Sequence, residues 1–329
     1  MNKEMKILKP KFEIIEQAPG MEGMLKHIEL CGRTCYKSHD KITENSAEKF
    51  VERMKSLGHG SVLEHATIYL KTRFVVYGEP VYKRYKDNIY SKTEVHKNYK
   101  IGYITTNYRV MLQGYYNTWD EAVKNKFDMN WLNDLEKQVE PTNYHHKRVT
   151  VRFTTDIGIS REFNRHRANS ISEQSTRYCN YSKDKFGGEV SVVAPLSERG
   201  LIESRQKDYE RFYKDDEEAL CYMCDSVRAL TSDKEYGGTK FFDDIDTWLF
   251  ANLAAQWSYM RLTNVFGWSA QEARSILPLC TATELIHTAF VSDWINFFKL
   301  RCDSHAHPMA RELAIPLREE FVKRGLIKE

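Results

Sequence analysis

The sequence predicts an α+β protein in which an antiparallel sheet packs against helices. Two segments, ATIYLKTRF and RVTVRFTTD, alternate apolar and polar residues, which is typical of half-buried strands. Segments 201–230 and 241–262 instead repeat apolar residues at helical spacing. Since no repeat, low-complexity tract or Gly/Ser linker divides the 329 residues, we expect a single domain, 1–329, with an inserted lobe at about 78–147.

The first elements alternate between strand and helix. FEIIEQA predicts a first strand, and the following GMEGMLKHIELCGRTCYKS predicts a helix. ENSAEKFVERMKSLG predicts an amphipathic helix that stops at Gly58, because glycine readily adopts the conformation that ends a helix. The expected inner face of that helix consists of Phe50, Val51, Met54 and Leu57. In ATIYLKTRF the core face is Ile68 and Leu70, and in RVTVRFTTD it is Val149, Val151 and Phe153.

The second half of the chain is expected to be mostly helical. GEVSVVAP predicts one more strand before the two helical segments. Ser269 and Glu272 have the spacing of a capping box, in which each side chain binds the other residue's backbone amide, so a helix is expected to begin there. Pro308 suits the first turn of the last helix, and Pro316 is expected to kink that helix.

The inserted lobe is rich in tyrosine, lysine and asparagine, and WLNDLEKQVE predicts a short helix within it. Its tyrosines have two interpretations: core or interface residues, or the stacking surface of an RNA-binding module at 78–118. The net charge of only +3 and the lack of an RNP-like string argue against the second interpretation. We therefore expect no nucleic-acid partner.

The remaining composition indicates a cytoplasmic protein without membrane association. No apolar run approaches the length of a membrane span, and the N-terminus lacks the apolar region of a signal peptide. Seven dispersed cysteines indicate reduced thiols rather than a disulfide framework. Cys221 and Cys224 form a CxxC, but without a second pair they are better interpreted as helix cysteines near a core than as zinc ligands.

The segment RHRANSISEQSTRY, residues 165–178, concentrates hydrogen-bonding side chains in a short span. The preceding residues predict a short helix that leaves the strand ending near Asp156, on which Arg161 and Arg165 would lie one turn apart. Guanidinium groups bind a phosphate or an imide edge at two points at once, and the serines and amides that follow suit a phosphate or a pyrimidine. An isolated RHR tripeptide, by contrast, is typical of a solvated helix end.

The whole segment closely resembles the signature of flavin-dependent thymidylate synthases, the ThyX family: Arg-His-Arg, seven residues, then serine. Three further blocks resemble the family in the same order along the chain. GHGSVLEH contains His59, Ser61, Glu64 and His65 in matching places. EARSILPL contains a matching Arg274, and INFFKLRCDSHAH contains matching Asn296 and Arg301. The lobe and the helices near 201–250 exceed the compact family members.

The resemblance implies that the protein converts dUMP to dTMP. Methylenetetrahydrofolate would donate the carbon, and NADPH would supply reducing equivalents through bound FAD, a cofactor that carries out the difficult redox step itself. None of the seven cysteines follows a proline, the arrangement that the other class of thymidylate synthase uses for its nucleophile. The resemblance also implies a homotetramer whose active sites form where subunits meet, which suits a segment with more polar groups than one chain is expected to satisfy.

Residue roles follow from the resemblance. The catalytic residues would be Arg301, facing the uracil imide and stabilising negative charge on the ring, and His59, near flavin and folate. The FAD-binding residues would be Ser61, Arg165, His166, Arg167, Glu173 and Asn296. The substrate-binding residues would be Glu162, Arg165, Glu173, Gln174, Ser175, Thr176, Arg177, Arg274 and Arg301. Ser175 is interpreted as a hydrogen-bond donor, since no histidine is close in sequence to activate it as a nucleophile.

Two departures from the family pattern leave roles open. Many members have glutamine where this chain has Glu162, and a carboxylate would repel a phosphate, so Glu162 is expected to contact the base or the ribose. Near the start of the helix that carries Asn296, the family often has asparagine and arginine to hold FAD, but this chain has Phe290 and Ser292. We expect the inserted lobe to supply the missing contacts.

A metal-dependent hydrolase is the remaining alternative, and we expect no metal site. Six side chains of the right types occur in two segments and would have to assemble into a ligand set. They are His59, Glu64, His65, Asp303, His305 and His307. Each is better explained by ordinary hydrogen bonds at the end of a helix or strand.

Overall fold

The structure is a computed structural model that describes residues 3–73, 85, 88–96, 101–114, 136–138, 140–213, 216–231, 235–236, 239–240 and 243–328. The strands are β1 (Lys6–Ile7), β2 (Lys11–Ile15), β3 (Thr67–Arg73), β4 (Lys92–His96), β5 (Ile101–Asn107), β6 (Glu136–Gln138), β7 (Arg148–Asp156), β8 (Ser170–Glu173), β9 (Ser191–Val192), β10 (Glu235–Tyr236), β11 (Thr239–Lys240) and β12 (Ala282–Phe290). The α-helices are α1 (Gly20–Cys35), α2 (Ala47–Ser56), α3 (Gly60–Leu63), α4 (Tyr108–Gly114), α5 (Ile157–Phe163), α6 (Arg199–Arg205), α7 (Asp216–Thr231), α8 (Asp244–Asn264), α9 (Ala270–Ala273), α10 (Val291–Arg301) and α11 (Pro308–Lys323).

The main sheet has the strand order β2-β7-β12-β8, and every neighbouring pair is antiparallel. Its register places Phe153 of β7 opposite Leu285 of β12, which in turn lies opposite Glu173 of β8. Helices cover the sheet, so the predicted α+β class with an antiparallel sheet is confirmed. The single-domain organisation stays a prediction.

One face of the main sheet packs against α5, α10 and α11. Val149, Val151 and Phe153 are buried on this face, as their alternation predicts. Trp294 of α10 is fully buried and donates its indole N–H to the backbone oxygen of Val149 at 3.1 Å. The ring of Phe153 lies 5.0 Å from that of Phe163. These contacts fix α5 and α10 relative to the sheet, and both helices carry predicted site residues.

The opposite face is covered by α1 and contains a buried polar network. His65 joins two strands through Thr288 Oγ1 at 2.8 Å and Ser172 Oγ at 2.9 Å. Thr288 also bonds Thr150 at 2.8 Å, and Thr150 bonds His27 of α1 at 3.0 Å. Burial lowers the pKa of His65 well below its usual value and the pKa of His27 to about 4. Both imidazoles are therefore held neutral inside the protein.

A second antiparallel sheet, with the order β4-β5-β3-β6, contains the described strands of the inserted lobe. Ile68 and Leu70 of β3 face its core as predicted, together with Ile104 of β5. Tyr85, Tyr103 and Tyr108 are buried, so the tyrosines that the structure describes at these positions pack inside the fold, as one of the two interpretations predicted. Tyr90 is partly buried against the same core, and the other tyrosines of the predicted stacking surface at 78–118 lie outside the described residues.

Several local predictions are wrong. Leu57 is 52% exposed, because α2 ends at Ser56 and Gly58, with φ of 69°, turns the chain away. Where a helix was predicted around WLNDLEKQVE, Glu136–Gln138 instead form β6 on the edge of β3, and 131–135 lie outside the described residues. Only Ser191–Val192 of GEVSVVAP forms a strand, paired in parallel with β1. Cys221 and Cys224 are exposed on α7 rather than near a core.

The helical predictions for the second half are largely confirmed. α8 begins after Asp243, whose side chain accepts the amide of Asp246 at 2.9 Å in a capping box. Ser269 and Glu272 form the predicted capping box, although α9 has only four residues. Pro308 opens α11, and the helix continues beyond Pro316 to Lys323, so the expected kink stays a prediction.

Candidate active site

One end of the main sheet borders a cavity of about 800 Å³. It lies where β7 ends, β8 ends and β12 begins, a junction at which Asp156 pairs with Ala282. Asp156 also begins α5, since its carboxylate accepts the Ile159 amide at 2.8 Å. The predicted site residues that line the cavity are Glu173, Gln174, Ser175, Thr176 and Arg274. Residues of the RHRANSISEQSTRY signature and Arg274 of the EARSILPL block, almost 100 positions later in the sequence, thus share one cavity.

Glu173 is held in this cavity by three side chains, two from α5 and its C-cap and one from β12. Its Oε1 accepts a hydrogen bond from Ser160 at 2.6 Å and one from Thr283 at 3.3 Å. Its Oε2 accepts the amide N–H of Asn164 at 2.8 Å. Both oxygens of the carboxylate are therefore fixed by neutral donors, which leaves its negative charge uncancelled by any of these partners.

The segment after Glu173 forms a polar loop beside α1. The Ser175 amide donates to the backbone oxygen of Cys35, the last residue of α1, at 2.9 Å. Ser175 Oγ accepts the Arg177 amide at 3.3 Å, and Arg177 Nε donates to Gln271 at 2.8 Å. Arg274 Nη1 donates to Thr176 Oγ1 at 3.3 Å. Two guanidinium groups and two hydroxyls thus gather at the mouth of the cavity, a donor set that suits a phosphate.

Arg301 and Glu162 form an ion pair on the other side of α5. Arg301 Nη1 donates to Glu162 Oε2 at 2.8 Å, and Nη2 donates to the Glu162 backbone oxygen at 2.6 Å. Successive helix residues are separated by about 100°, so Glu162 points about 200° away from Ser160, which faces the cavity. Neither Arg301 nor Glu162 lines the cavity that contains Glu173.

His166 also contacts Arg301, and we call Glu162, His166 and Arg301 the Arg301 group. Its Nε2 accepts the Arg301 Nε–H at 3.2 Å, and its ring packs 4.9 Å from Phe297 of α10. Burial and the neighbouring Arg301 lower the pKa of His166 to about 4, which keeps the ring neutral and able to accept this hydrogen bond. Burial also lowers the pKa of Arg301, while Glu162 opposes that shift.

Arg165 does not lie on the helix that was expected to carry it. α5 ends at Phe163, and Asn164 occupies its C-cap position, so Arg161 and Arg165 are not one turn apart on a continuous helix. Arg165 and Arg167 are exposed, and within the described part of the chain neither is within ion-pair distance of a carboxylate. Both guanidinium groups are thus presented to solvent, and Arg165 is close enough to Arg301 for its charge to contribute to the lowered pKa of Arg301.

His59 and Ser61 lie at a third position, on either side of the first residue of α3. His59 Nδ1 and the Tyr36 hydroxyl share a 2.8 Å hydrogen bond, and their rings are stacked at 6.4 Å. Tyr36 also lies 5.7 Å from Tyr178, which is exposed and directly follows the polar loop. Ser61 is exposed. The rings of Tyr36, His59 and Tyr178 thus form an aromatic surface next to the polar loop.

The inserted lobe contacts the positions where the family pattern is altered. Lys92 of β4 donates to Ser292, and its ammonium group lies 4.8 Å from the centre of the Phe290 ring. Asn296 is exposed one turn further along α10. A cation from the lobe therefore lies where the resemblance led us to expect an arginine.

The six candidate metal ligands do not assemble. His59 bonds Tyr36, His65 is enclosed by Thr288 and Ser172, and Asp303 bonds its neighbour His305 at 2.9 Å. Throughout the residues that the structure describes, no three histidine, cysteine or acidic side chains are arranged to hold a metal ion. In the same part of the chain, none of the helices has the length and apolarity that a membrane span requires.

Several residues that were not predicted from the sequence hold predicted site residues in place. Ser160, Asn164 and Thr283 bond Glu173, Tyr36 bonds His59, and Gln271 bonds Arg177. The signal for two of them was present, because Ser160 and Asn164 are four residues apart and so lie on one side of a helix that leads into the signature. No comparable signal exists for Tyr36 and Thr283, since their partners are 23 and 110 positions away.

Comparison with known proteins gives a consistent result. A flavin-dependent thymidylate synthase from Synechocystis is 27% identical over 179 residues, which cover 53% of this chain and 66% of that protein. The chain thus matches just under two thirds of that relative's length. A flavin-dependent thymidylate synthase from Tropheryma whipplei is 23% identical over 226 residues, covering 67% of this chain and 82% of that protein.

Two solved structures are similar over most of the chain. Thymidylate synthase X from Helicobacter pylori, with FAD and dUMP, has 14% identity and a TM-score of 0.36, with 94% of this chain and 92% of that chain covered. A UMP/dUMP methylase from Streptomyces cacaoi, bound with 5-Br dUMP, has 14% identity and a TM-score of 0.38, with 98% and 93% covered.

The family model described as Thy1, thymidylate synthase complementing protein, matches residues 97–324. This range includes the polar loop, the cavity and the Arg301 group, and it covers well over half of the 329 residues. The chain therefore belongs to the Thy1 family of thymidylate synthase complementing proteins.

Proposed function

We propose that the protein is a flavin-dependent thymidylate synthase that methylates dUMP to dTMP. Methylenetetrahydrofolate is the carbon donor, and NADPH is the reductant through bound FAD. The observation that carries the proposal is the family match over 97–324, within which Glu173, Ser175, Thr176 and Arg274 surround one cavity. A phosphate bound at the loop would place the rest of a nucleotide inside that cavity.

The chain's own residues suit a flavin dinucleotide. Arg165 and Arg167 present guanidinium groups to solvent without an acidic partner in the described part of the chain, and such groups suit a pyrophosphate. Ser61 and Asn296 are exposed donors, and Lys92 adds a cation beside α10. FAD held there supplies the reducing equivalents that the methylation needs.

In this proposal Arg301 stabilises negative charge on the uracil ring. Glu162 and His166 use three of its five N–H donors, which leaves one N–H on each terminal nitrogen. These N–H groups can donate to a carbonyl oxygen of the uracil imide, and a fixed cation needs no rearrangement as charge develops there. Glu162 thereby contacts Arg301 and not a phosphate, which would answer the question raised by a carboxylate at this position.

We further propose a homotetramer in which each active site combines the cavity of one subunit with the Arg301 group of another. Within one subunit the two groups lie on opposite sides of α5, since Ser160 faces the cavity and Glu162 faces Arg301. We infer that a nucleotide bound in the cavity meets the Arg301 of a neighbouring subunit. The location we propose is the reducing cytoplasm, because all seven cysteines are free.

The test is optical and uses the purified chain reconstituted with FAD. We expect a yellow protein that NADPH bleaches under anaerobic conditions and that dUMP with methylenetetrahydrofolate recolours, with one dTMP formed per flavin. A chain that binds FAD but forms no dTMP under these conditions would contradict the proposed reaction. A chain that neither binds FAD nor forms dTMP would remove the flavin class altogether.

A further inference from the structure

We propose that Ser160 and Asn164 are positioning residues that direct Glu173 to a hydroxyl group on the sugar of the nucleotide. The proposal rests on the proposed function, since it names how that site selects its substrate. Neither residue belongs to the sets predicted from the sequence. Both lie on α5 or its C-cap, on the side that faces the cavity.

The hydrogen bonds of Glu173 leave it one specific role. A carboxylate accepts about four hydrogen bonds, and three of those of Glu173 come from Ser160, Thr283 and Asn164. The three donors belong to α5, its C-cap and β12, so the carboxylate cannot rotate without breaking at least one bond. One acceptor position remains, in a residue that lines the cavity.

The Ser160 hydroxyl has one proton and two acceptors within reach. Glu173 Oε1 is 2.6 Å away and the Ile157 backbone oxygen 3.0 Å away. The carboxylate is the shorter and charged partner, and hydrogen bonds to ionised acceptors are roughly twice as strong as neutral ones, so the proton points to Glu173. Asn164 must present its nitrogen for a similar reason, because the reversed amide would direct an oxygen at the carboxylate.

A fixed carboxylate in a phosphate-binding cavity has a limited choice of partner. It repels phosphate, which Arg274 and the hydroxyls of Ser175 and Thr176 are placed to bind. It accepts from a hydroxyl or an N–H group. Glu173 lies two residues before Ser175, so its acceptor is a short distance from the phosphate donors, as a sugar hydroxyl is from the phosphate of a nucleotide. In dUMP the available hydroxyl is at C3′.

The test compares the affinity of the FAD-loaded enzyme for dUMP and for 2′,3′-dideoxy-UMP, which lacks that hydroxyl. In the wild type we expect dUMP to bind about 10- to 100-fold more tightly, the effect of one hydrogen bond to a charged group. In N164A and S160A we expect the ratio to fall to about 3-fold or less, because the carboxylate is free to turn away. Dideoxy-UMP itself should bind all three proteins about equally.

N164D separates positioning from simple structural damage. It preserves the size of the side chain and places a second carboxylate where the donor was, 2.8 Å from Glu173 in the native contact. Two carboxylates this close share a proton as the pH falls, and the protonated form donates again. The dUMP preference of N164D should therefore be absent at about pH 8 and partly restored near about pH 5.5, while that of N164A stays low throughout.

Two other titratable side chains near Glu173 stay neutral in that window, because burial raises the pKa values of Cys35 and Tyr181. The matched control is N45D, which adds the same charge at an exposed position in the loop before α2. We expect N45D to retain the wild-type preference at every pH.

The outcomes separate the inference from the function. Wild-type enzyme that binds dUMP and dideoxy-UMP equally, or N164A and S160A that keep the full preference, would overturn the positioning role while leaving dTMP synthesis in place. Wild-type enzyme that binds neither nucleotide would refute the proposed function instead. If N164A shows no cooperative thermal unfolding, the nucleotide preferences of S160A and N164D test the positioning role, since both variants preserve more of the native packing.

Discussion

Removing the carboxylate of Glu162 should lower kcat/KM for dUMP, because this carboxylate holds Arg301 in its orientation. In the native protein this carboxylate accepts Arg301 Nη1 at 2.8 Å, and the Arg301 side chain is only 15% exposed. In E162A the guanidinium keeps His166 and the Glu162 backbone oxygen but loses its only acidic side-chain partner among the described residues. We therefore expect Arg301 to become mobile and its orientation to the uracil to be lost part of the time.

The size of the effect follows from the geometry. A hydrogen bond to a charged group contributes about 1.5–3 kcal/mol, and the Glu162 side chain is 32% exposed, so the lower part of that range applies. A loss of about 1.4–2 kcal/mol corresponds to about a 10- to 30-fold decrease in kcat/KM for dUMP. E162Q keeps an acceptor but not the charge, and about half the loss, roughly 3- to 5-fold, is expected.

The assay is dTMP formation under saturating FAD and reductant, with R301A as the reference for complete loss of the cation. The control is E48Q, which removes a carboxylate from an exposed position on α2. Wild-type kcat/KM in E162A would refute the positioning of Arg301 by Glu162. A loss in E162Q as large as that in R301A would show instead that Glu162 has a direct role of its own.

Three other predictions concern stability and cofactor binding. Burial lowers the pKa of His27 to about 4 and that of His287 to about 3, so the unfolded chain binds more protons than the folded one between these values and 6.5. The free energy of unfolding should therefore be full above pH 6.5 and fall on acidification by up to about 1.4 kcal/mol per pH unit for each histidine. Urea denaturation that gives the same free energy of unfolding from pH 6.5 to 4.5 would contradict this prediction. F163A should lower the free energy of unfolding by about 3–5 kcal/mol, because Phe163 is fully buried between Phe153 and Phe297; a change below about 1 kcal/mol in chemical denaturation would show that the site collapses without cost. K92A should raise the FAD dissociation constant about 5- to 10-fold in a fluorescence titration, whereas K49A, an exposed lysine on α2, should leave it unchanged; equal affinity in K92A would remove the lobe from the cofactor site.

Patterns with strong local physics were predictable from the sequence. The alternation in β3 and β7, the amphipathic face of α2 and the capping box at Ser269 each depend on residues within one turn or one strand, so they were recognised. The second sheet was not recognised, because β5 is buried along nearly its whole length and therefore shows no alternation. Leu57 was misplaced because the apolar pattern of α2 continues past the residue at which the helix ends.

The candidate site divides in the same way. The signature and three family blocks identified residues by type and spacing, and the structure brings five of those residues around one cavity. What the sequence could not supply is the side of α5 on which each residue acts. Asn164 ends that helix at a point that no periodicity predicts, and this separates the direction of Arg165 from that of Arg161. The set of hydrogen bonds that fixes the Glu173 carboxylate includes one from Thr283, 110 positions away, and only the three-dimensional structure shows it.

The most direct measurement is dTMP formation by a mixture of two inactive variants, R301A and R274A, combined by co-expression so that their subunits assemble together. Each variant alone lacks one half of every site, in the Arg301 group or in the cavity. If a site takes its halves from different subunits, about one quarter of the sites in an equal, random mixture contain both arginines and recover activity. Mixed assemblies with no more activity than either variant alone would contradict a site shared between subunits.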